Sequence, residues 1–430
     1  MYRRVFLGAA AAGRASVLGS TDQVILGLIG CGARGRYLAR LMREAGACFA
    51  AFADVYLPNG ERARQEAGGG QVFQDFRRLL ELKEIDAVLI ATPDHWHAIP
   101  TVLACQAGKD VYVEKPLAHN VREGRAMVEA ARRSGRVVAA GTQHRSAPHL
   151  AEAARIVQSG ELGEVRFVRV WNYSNMYPNG IGREPDSAPP EGLDWDMYLG
   201  PAPWVAFNRK RFLGTYRWFW DYAGGYITDF GTHRFDTVHQ IMGVSAPRTV
   251  SAAGGRFSLR DAGETPDILQ VTYEYPGFVL SYEACNLNAH GLGGRTPGMS
   301  YYNTRGPEDR PHGMAFYGTN GALFADRIGF EIYPERDPGR GEPRIAARRV
   351  NGPEPTPRHA RDFLEAVRTR RAPAAPIEEA HRATIVAHLG NIAFKVGRKL
   401  VWDAERETVT GDQAVARLLG RQARKPWDLI

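Results

Sequence analysis

Cysteine is scarce in this sequence, which contains four in 430 residues. None of the four forms a C-x-x-C pair, which excludes a redox or zinc motif of that spacing. They are Cys31, Cys48, Cys105 and Cys285, and the first three lie in apolar segments of the first third of the chain. We therefore expect buried thiols.

The sequence also lacks a long apolar run, an internal repeat and a block of lysines and arginines. The one short apolar stretch near the N-terminus is too short to span a bilayer, so stable membrane insertion is not expected. The net charge of +8 comes from 55 basic and 47 acidic residues spread along the chain. Nucleic-acid-binding arms carry such charges in blocks, so no nucleic-acid partner is expected. The composition fits a globular protein of two packed domains.

Three glycines in the spacing G-x-G-x-x-G follow a short apolar run at residues 24–29, and an amphipathic helical pattern begins directly behind them. This order predicts a strand, a tight turn and a helix. Gly30 permits the turn, Gly32 has no Cβ to block a pyrophosphate, and Gly35 lets the helix lie close to the strand. The phosphates of a dinucleotide would meet free N–H groups at the helix start. The candidate phosphate-binding residues are Gly30, Gly32, Ala33, Arg34 and Gly35.

The next apolar run, at residues 50–53, ends in Asp54, about twenty residues beyond the glycines. A carboxylate there would accept hydrogen bonds from the adenine-ribose diol and would repel the 2′-phosphate of NADP. Because no arginine follows immediately, the sequence predicts NAD as the cofactor. A structural glycine turn, with Asp54 as a helix N-cap, is the alternative interpretation.

Two further strand patterns end in polar residues, one at 85–92 and one at 110–113. Polar groups at the carboxyl ends of parallel strands face the cofactor crevice, so further cofactor-lining residues are expected there. They are Thr92, Pro93, His95, His97, Glu114, Lys115 and Gln143. The two histidines could instead be metal ligands, but no third ligand lies nearby in the sequence, so no metal is expected. The Lys115 ammonium could lower the pKa of a substrate hydroxyl, unless Glu114-Lys115-Pro116 is a surface turn.

Periodicity fails from residue 174 to 213, where glycine, proline and aromatic residues dominate. Such a long loop is typical of a lid or a binding loop. Trp195 and Trp204 could stack on a sugar ring or simply pack the loop onto the sheet. Further on, Asp229 and His233 are four residues apart in a helical pattern and would share a face. A carboxylate there could orient an imidazole, although a surface ion pair would have the same spacing.

These motifs, together with Ala91-Thr92-Pro93, resemble those of the Gfo/Idh/MocA oxidoreductases. The resemblance implies a nucleotide domain, a second α/β domain with a large, mostly antiparallel sheet, a sugar or polyol substrate, and a homo-oligomer. It also implies acid–base roles for Asp229 and His233 opposite Lys115. Tyr226 replaces a glycine common in the family motif, which leaves the local shape of the pocket open. The residues expected to contact substrate are His144, Arg145, Trp195, Trp204, Arg217 and Tyr226.

Arg3-Arg4-Val5-Phe6-Leu7 precedes a small apolar run at residues 8–13 in the layout of a twin-arginine export signal. Arg14 interrupts the run, and no clean A-x-A cleavage site follows. We expect export to the periplasm, with a cytoplasmic protein as the alternative.

The sequence thus predicts an export signal over residues 1–20, a Rossmann NAD-binding domain over 21–145, and a substrate-binding and oligomerisation domain over 146–430. The predicted function is an NAD-dependent oxidoreductase that transfers hydride between nicotinamide and a hydroxyl carbon of a sugar, glycoside or polyol. His233 would be the general base, Asp229 would hold or charge it, and Lys115 would stabilise the alkoxide.

The protein is expected to be a homodimer or homotetramer assembled through the open face of the second sheet, and residues 425–430 could wrap onto a partner subunit. Two alternative functions remain. One is a redox-neutral NAD-dependent glycoside hydrolase, which oxidises a ring hydroxyl, eliminates the aglycone, adds water and reduces the ring carbon back to the hydroxyl. The other is a non-catalytic sugar or nucleotide sensor.

Overall fold

The computed structural model describes residues 23–292, 311–327 and 329–428. The expected export signal at residues 1–20 lies outside the described residues. None of the described helices is long and apolar enough to cross a bilayer.

Six parallel strands form the first sheet, in the order β3-β2-β1-β4-β5-β6. The strands are β1 (Ile25–Ile29), β2 (Cys48–Ala53), β3 (Gln71–Phe73), β4 (Ala87–Ile90), β5 (Asp110–Val113) and β6 (Val138–Ala140). The helices are α1 (Ala33–Glu44), α2 (Leu57–Ala67), α3 (Phe76–Leu80), α4 (Ala98–Gln106) and α5 (Val121–Ser134). All four residues of β4 are buried, as a sheet covered by helices on both faces requires. The strand order reverses between β1 and β4, and a ligand crevice forms at such a point.

Ten strands form the second sheet, in the order β14-β13-β12-β11-β7-β10-β9-β8-β15-β16. Among the described strands of this sheet, only β7 and β10 pair in parallel, which confirms the predicted mostly antiparallel sheet. The strands are β7 (Phe167–Tyr173), β8 (Thr249–Gly255), β9 (Ile268–Tyr275), β10 (Phe278–Cys285), β11 (His312–Gly318), β12 (Gly321–Asp326), β13 (Gly329–Pro334), β14 (Arg348–Asn351), β15 (Leu400–Asp403) and β16 (Thr408–Val409).

Helices cover one face of the second sheet. The helices of this part of the chain are α6 (Pro148–Gln158), α7 (Trp195–Leu199), α8 (Thr232–Met242), α9 (Thr356–Thr369), α10 (Ile377–Val396) and α11 (Gln413–Ala416). Apolar residues of α6, α8 and α10 share one core with the sheet, including Ile156, Phe235 and Leu389. Val168 and Val170 of β7, two residues apart, belong to this core, because alternate residues of a strand face the same side of the sheet.

Helix α9 packs on the first sheet rather than the second. Its Phe363 and Leu364 join the core formed by Leu38 and Leu41 of α1. The expected division at residue 145 therefore separates the sheets but not the helices. The reason is physical: the apolar face of a helix is buried wherever the folded chain offers a matching surface.

In the segment 425–430, which could wrap onto a partner subunit, Trp427 packs edge-to-face on Trp96 of the same chain, with 4.8 Å between ring centroids. The last two residues of this segment lie outside the described residues. The expectation of buried thiols is confirmed for Cys31 and Cys105 but is wrong for Cys48, which is exposed, and Cys285 is partly buried.

Candidate active site

The glycine turn has the geometry that its spacing predicts. Gly30 has φ of +88°, and a Cβ there would lie 2.6 Å from the backbone of Ala91 and Thr92. A Cβ at Gly35 would lie 2.1 Å from the carbonyl oxygen of Gly30, so the helix lies as close as only glycine permits. A Cβ at Gly32 would contact nothing within 4 Å. Gly32 also precedes α1 without a side-chain cap, so the first N–H groups of the helix, beginning at Ala33, remain available to an anion.

This difference between two glycines gives a matched pair of variants. Gly32→Ala should leave the thermal unfolding of the cofactor-free protein unchanged but weaken NAD binding by about tenfold, or about 1.4 kcal/mol. Gly35→Ala should destabilise the fold itself by about 1–3 kcal/mol, because backbone atoms must move apart. Differential scanning fluorimetry and an NAD titration would measure both effects. A Gly32→Ala protein with normal NAD affinity would exclude the glycine turn as the phosphate site.

Asp54 lies at the end of β2, directly beside the glycine turn. Its carboxylate accepts hydrogen bonds from the N–H of Cys31 at 2.7 Å and of Tyr56 at 2.8 Å. Burial raises the pKa of the Asp54 carboxyl to about 6, although these two N–H groups oppose the shift. The tertiary structure also brings Arg36 to the turn, where its guanidinium donates to the carbonyl of Cys31 at 2.8 Å and pairs with Glu66.

A partly buried ion pair joins the start of α1 to the residue that follows β5. Arg34 donates to Glu114 at 2.9 Å, and burial, which would raise the pKa of Glu114, is outweighed by Arg34 and Lys115, which lower it. With its amide oxygen turned towards the guanidiniums, Gln143 accepts from Arg34 at 2.9 Å and from Arg327 at 2.8 Å. Three residues predicted to line the cofactor site thus form one network at the carboxyl edge of the sheet.

The turn after β4, residues 93–97, is held by backbone carbonyls. His95 contacts the carbonyl of Tyr198 at 2.9 Å, and burial lowers the pKa of its imidazole to about 3. His97 lies between the carbonyls of Pro116, at 2.7 Å, and Thr92, at 3.0 Å. His95 therefore ties the 93–97 turn to the long loop at Tyr198. His97 ties the same turn to the segment that carries Lys115.

Lys115, Asp229 and Arg217 form the charged centre of the crevice. The Lys115 ammonium, 14% exposed, pairs with the Asp229 carboxylate and donates to the Asp229 carbonyl at 2.9 Å. Arg217 reaches the other carboxylate oxygen at 3.1 Å. Burial alone would raise the pKa of Asp229, but the two cations outweigh it and lower the value to about 2. Asp229 is therefore ionised at any working pH.

The expectation that Asp229 orients His233 is wrong in this structure. Asp229 lies in a π-helical turn, Ile227–Gly231, which precedes α8. The wider turn changes the angle between residues four apart, so the two side chains do not meet as they would on an α-helix. Both carboxylate oxygens of Asp229 serve Lys115 and Arg217 instead.

His233 is oriented by other groups. Its ring stacks on that of His144, with 5.2 Å between centroids. The Thr237 hydroxyl donates to the His233 carbonyl at 2.8 Å and is 2.9 Å from Nδ1 of His144, so His144 carries its proton on Nδ1. Burial, followed by the charge of Lys115, holds the pKa of His233 well below its ordinary value. The imidazole is therefore neutral, and its Nδ1 has no hydrogen-bond partner among the described residues.

The residues expected to contact substrate separate into two groups. Trp195 is 7% exposed, stacks on Tyr198, and donates its N–H to the carbonyl of Val205 at 2.9 Å, so it belongs to the core of the loop. Arg145 is tied to the buried Asp236 at 2.8 Å. Trp195 cannot reach a ligand without breaking its contacts, which corrects that expectation. The other residues remain candidates: His144, Arg145, Trp204, Arg217 and Tyr226.

Sequence reasoning missed Asp94 and Tyr216. The Tyr216 hydroxyl donates to the Asp94 carboxylate at 3.0 Å, and burial raises the pKa of Asp94. The position of Asp94 between Pro93 and His95, at the carboxyl end of a strand, could have marked it as a crevice residue. Nothing in the sequence links it to Tyr216, which is 122 residues away.

The fold and the site define a two-domain protein in which a Rossmann dinucleotide site faces a mixed-sheet domain across a charged crevice. A family model described as "Oxidoreductase family, NAD-binding Rossmann fold" matches residues 24–142. A second model, "Oxidoreductase family, C-terminal alpha/beta domain", matches residues 149–278 and 340–429. The chain belongs to the Gfo/Idh/MocA oxidoreductase family, and NAD is the cofactor of that Rossmann fold.

Characterised relatives match only in part. Inositol 2-dehydrogenase 2 of Saccharopolyspora erythraea is 34% identical over 166 residues, which are 38% of this chain and 48% of that protein. The scyllo-inositol 2-dehydrogenase (NAD(+)) of Bacillus subtilis is 29% identical over 171 residues, 39% of this chain and 47% of that protein. The chain thus spans about half the length of these curated relatives.

One solved structure, levoglucosan dehydrogenase in complex with NADH and levoglucosan, shares the fold over nearly its whole length. Its TM-score is 0.65 at 18% identity, and the match covers 88% of this chain and 99% of that chain. At this identity the match establishes the fold.

Proposed function

We propose that this protein is an NAD-dependent oxidoreductase acting on a hydroxyl carbon of a sugar, glycoside or polyol. The observation that carries the proposal is a neutral His233 imidazole, unpartnered at Nδ1 among the described residues, whose pKa is lowered in part by the charge of the Lys115 ammonium, which is 14% exposed. The relatives named inositol dehydrogenases and the neighbour named levoglucosan dehydrogenase support the substrate class.

The residues present fit NAD. The space above Gly32, the uncapped start of α1 and the carboxylate of Asp54 would hold the pyrophosphate and the ribose diol. When bound, NAD would accept the hydrogen and electron pair that leave the carbinol carbon.

The chain's own residues would handle the substrate proton and charge. His233 would accept the hydroxyl proton, because its depressed pKa keeps a lone pair free at neutral pH. Lys115 would stabilise the negative charge that develops on the oxygen. Asp229 and Arg217 would hold the ammonium in place, so that it need not reorient during the reaction.

A substrate panel tests the proposal. Purified protein would be incubated with NAD and inositols, levoglucosan, hexoses or aryl glycosides, and NADH formation would be followed. Turnover of at least one polyol or sugar, lost in Lys115→Met, supports the proposal. Release of p-nitrophenol without net NADH would instead indicate the redox-neutral glycoside hydrolase. Cofactor binding without any turnover would indicate a sensor, and either result would overturn the dehydrogenase.

Asp54 should make the protein prefer NAD to NADP. Its carboxylate beside the turn would repel a 2′-phosphate, and Asp54→Asn should shift the ratio of the two dissociation constants by about tenfold towards NADP. Parallel titrations of both nucleotides would measure the ratio. Tighter binding of NADP than of NAD by the unaltered protein would contradict the prediction.

The protein should form a homo-oligomer through the face of the second sheet that no described helix covers. This face carries neighbouring aromatic rings: Phe167 and Tyr317 stack at 5.4 Å, and Phe324 lies 5.5 Å from Tyr333. An exposed aromatic surface of this kind is typical of a subunit interface.

Light scattering should therefore give a mass of at least twice the 47.5 kDa of one chain. Tyr317→Glu places a charge within the aromatic face and should shift the protein towards monomer. Phe257→Glu, at a residue 61% exposed outside this face, is the matched control and should leave the mass unchanged. A monomeric mass for the unaltered protein would contradict this prediction.

We also propose that Arg3-Arg4 directs export of the folded protein. A tagged chain should then reach the periplasm of a host with a twin-arginine translocase and stay in the cytosol of a host without it. Cytosolic retention in both hosts would exclude export. Denatured protein purified from the periplasm should release NAD, since a dissociable cofactor would be lost outside the cytosol.

A further inference from the structure

Residues 419–428, here called the strap, cross the first domain and contact the turn after β4. The Arg421 guanidinium donates to the His95 carbonyl at 2.8 Å and to the Glu123 carboxylate at 2.6 Å. His95 belongs to the single turn of 3₁₀-helix Asp94–Trp96, whose last carbonyls have no partner further along a helix. Arg421 therefore serves as a side-chain cap for this turn.

The strap also holds residues 196–202 of the long loop. Arg424 donates to the carbonyl of Gly200 at 3.0 Å, to the Asp196 carboxylate at 2.6 Å and to the Asp196 carbonyl at 2.7 Å. Its own N–H donates to the Pro201 carbonyl at 3.0 Å. One short segment thus carries two arginines that bind two different parts of the chain.

These two parts are in turn bonded to each other. The Tyr198 carbonyl lies 2.9 Å from His95 Nε2 and accepts from the Trp96 indole N–H at 2.9 Å. Trp427 of the strap packs on Trp96 and is itself buried. The strap, the loop segment and the turn therefore form one closed junction, in which a shift of any member must move the other two.

The ends of the turn reach the charged crevice. Asp94, at its start, accepts a hydrogen bond from Tyr216, the neighbour of Arg217. His97, just after it, contacts the Pro116 carbonyl at 2.7 Å, directly beside Lys115. A displacement of the turn would be transmitted to both cations that hold Asp229.

We propose that Arg421 is a positioning residue, which fixes the 94–97 turn and through it the cofactor crevice. This inference rests on the proposed function for the role of the crevice. The described strap residues make no hydrogen bond or ion pair with the residues proposed as general base and alkoxide stabiliser, and Arg421 itself reaches the turn through the His95 carbonyl. In Arg421→Ala the turn would lose its cap, and the crevice would therefore lose its fixed shape. Trp427 and Arg424 would still anchor the strap.

The test compares Arg421→Ala with Lys425→Ala, a matched control that removes a positive charge from an exposed position of the same strap. NAD affinity is measured by titration, and folding is measured by thermal unfolding. Steady-state kinetics on the best substrate give kcat and KM. Arg421→Ala should raise the dissociation constant of NAD and lower kcat, each by about tenfold, and Lys425→Ala should change neither. Millimolar guanidinium should restore NAD affinity to Arg421→Ala, whereas methylammonium should not.

Recovery of NAD affinity with guanidinium distinguishes a positioning role of Arg421 from a simple loss of stability. A variant that is only destabilised would not regain NAD affinity when guanidinium is added. If Arg421→Ala does not fold, Arg421→Lys replaces it and should show a smaller loss of NAD affinity at full folding. Unchanged NAD affinity in a folded Arg421 variant, an equal effect of Lys425→Ala, or absence of rescue would overturn the inference. The NAD titration needs no turnover. Its result therefore tests the role of Arg421 even if the proposed reaction is wrong.

Discussion

Replacing Lys115 with methionine should lower kcat by about 10²–10³-fold while NAD still binds. Methionine has nearly the length of lysine but carries no charge, so the alkoxide would lose the stabilising charge of the Lys115 ammonium. The phosphate-binding turn lies on other elements, and NAD affinity should therefore change little. Steady-state kinetics on the best substrate and an NAD titration would measure the two effects separately.

Lys399→Met is the matched control for this variant. Lys399 pairs with Glu274 at 2.7 Å on the surface of the second sheet, far along the chain from the crevice, so its loss should leave kcat unchanged. Near-normal turnover in Lys115→Met would show that this ammonium does not stabilise the reacting oxygen. A parallel loss of NAD binding would assign Lys115 to cofactor binding instead.

Replacing His233 with glutamine should lower kcat by about 10²–10⁴-fold, because the general base is lost while the volume is largely kept. The pH profile should reveal the same group. The base works only when unprotonated, and its folded pKa lies well below the ordinary 6.5. When proton transfer to His233 limits the rate, kcat should therefore be constant through neutral pH. It should fall only in more acidic solution, below the pH range in which histidines normally titrate.

His239→Gln provides the control within the same helix. His239 contacts the Tyr275 hydroxyl at 2.8 Å within the core, so this variant tests packing in α8 without touching the crevice. It should keep kcat and its pH profile. If His233→Gln retains normal turnover, or if the acid limb of the profile is unaltered in it, His233 is not the base.

The first domain could be predicted from the sequence because its signals are local. The apolar run at 24–29, the three glycines and the helical pattern behind them specify strand, turn and helix within about twenty residues. Gly30 and Gly35 then meet steric demands of that same turn, as the 2.1 Å approach at Gly35 shows. Parallel strands buried on both faces also leave continuous apolar runs that can be read directly.

The second domain was predictable as a class but not in its particulars. The family resemblance implied a large, mostly antiparallel sheet, which the structure confirms. The tryptophans of the long loop could stack on a ligand or pack the loop, and composition cannot distinguish these outcomes. Only the packing shows Trp195 enclosed among Tyr198, Phe207 and Phe212.

The sequence by itself determined the glycine turn, Asp54, the Lys115 position and the family, since each depends on the spacing of near neighbours. Tertiary structure alone decided that Asp229 serves Lys115 and Arg217, that Asp94 meets Tyr216, and that the strap caps the turn at His95. The physical reason is that these contacts join groups far apart in the chain. Which groups meet depends on how whole helices and sheets pack against each other. One such feature is the π-helical turn Ile227–Gly231, which carries Asp229.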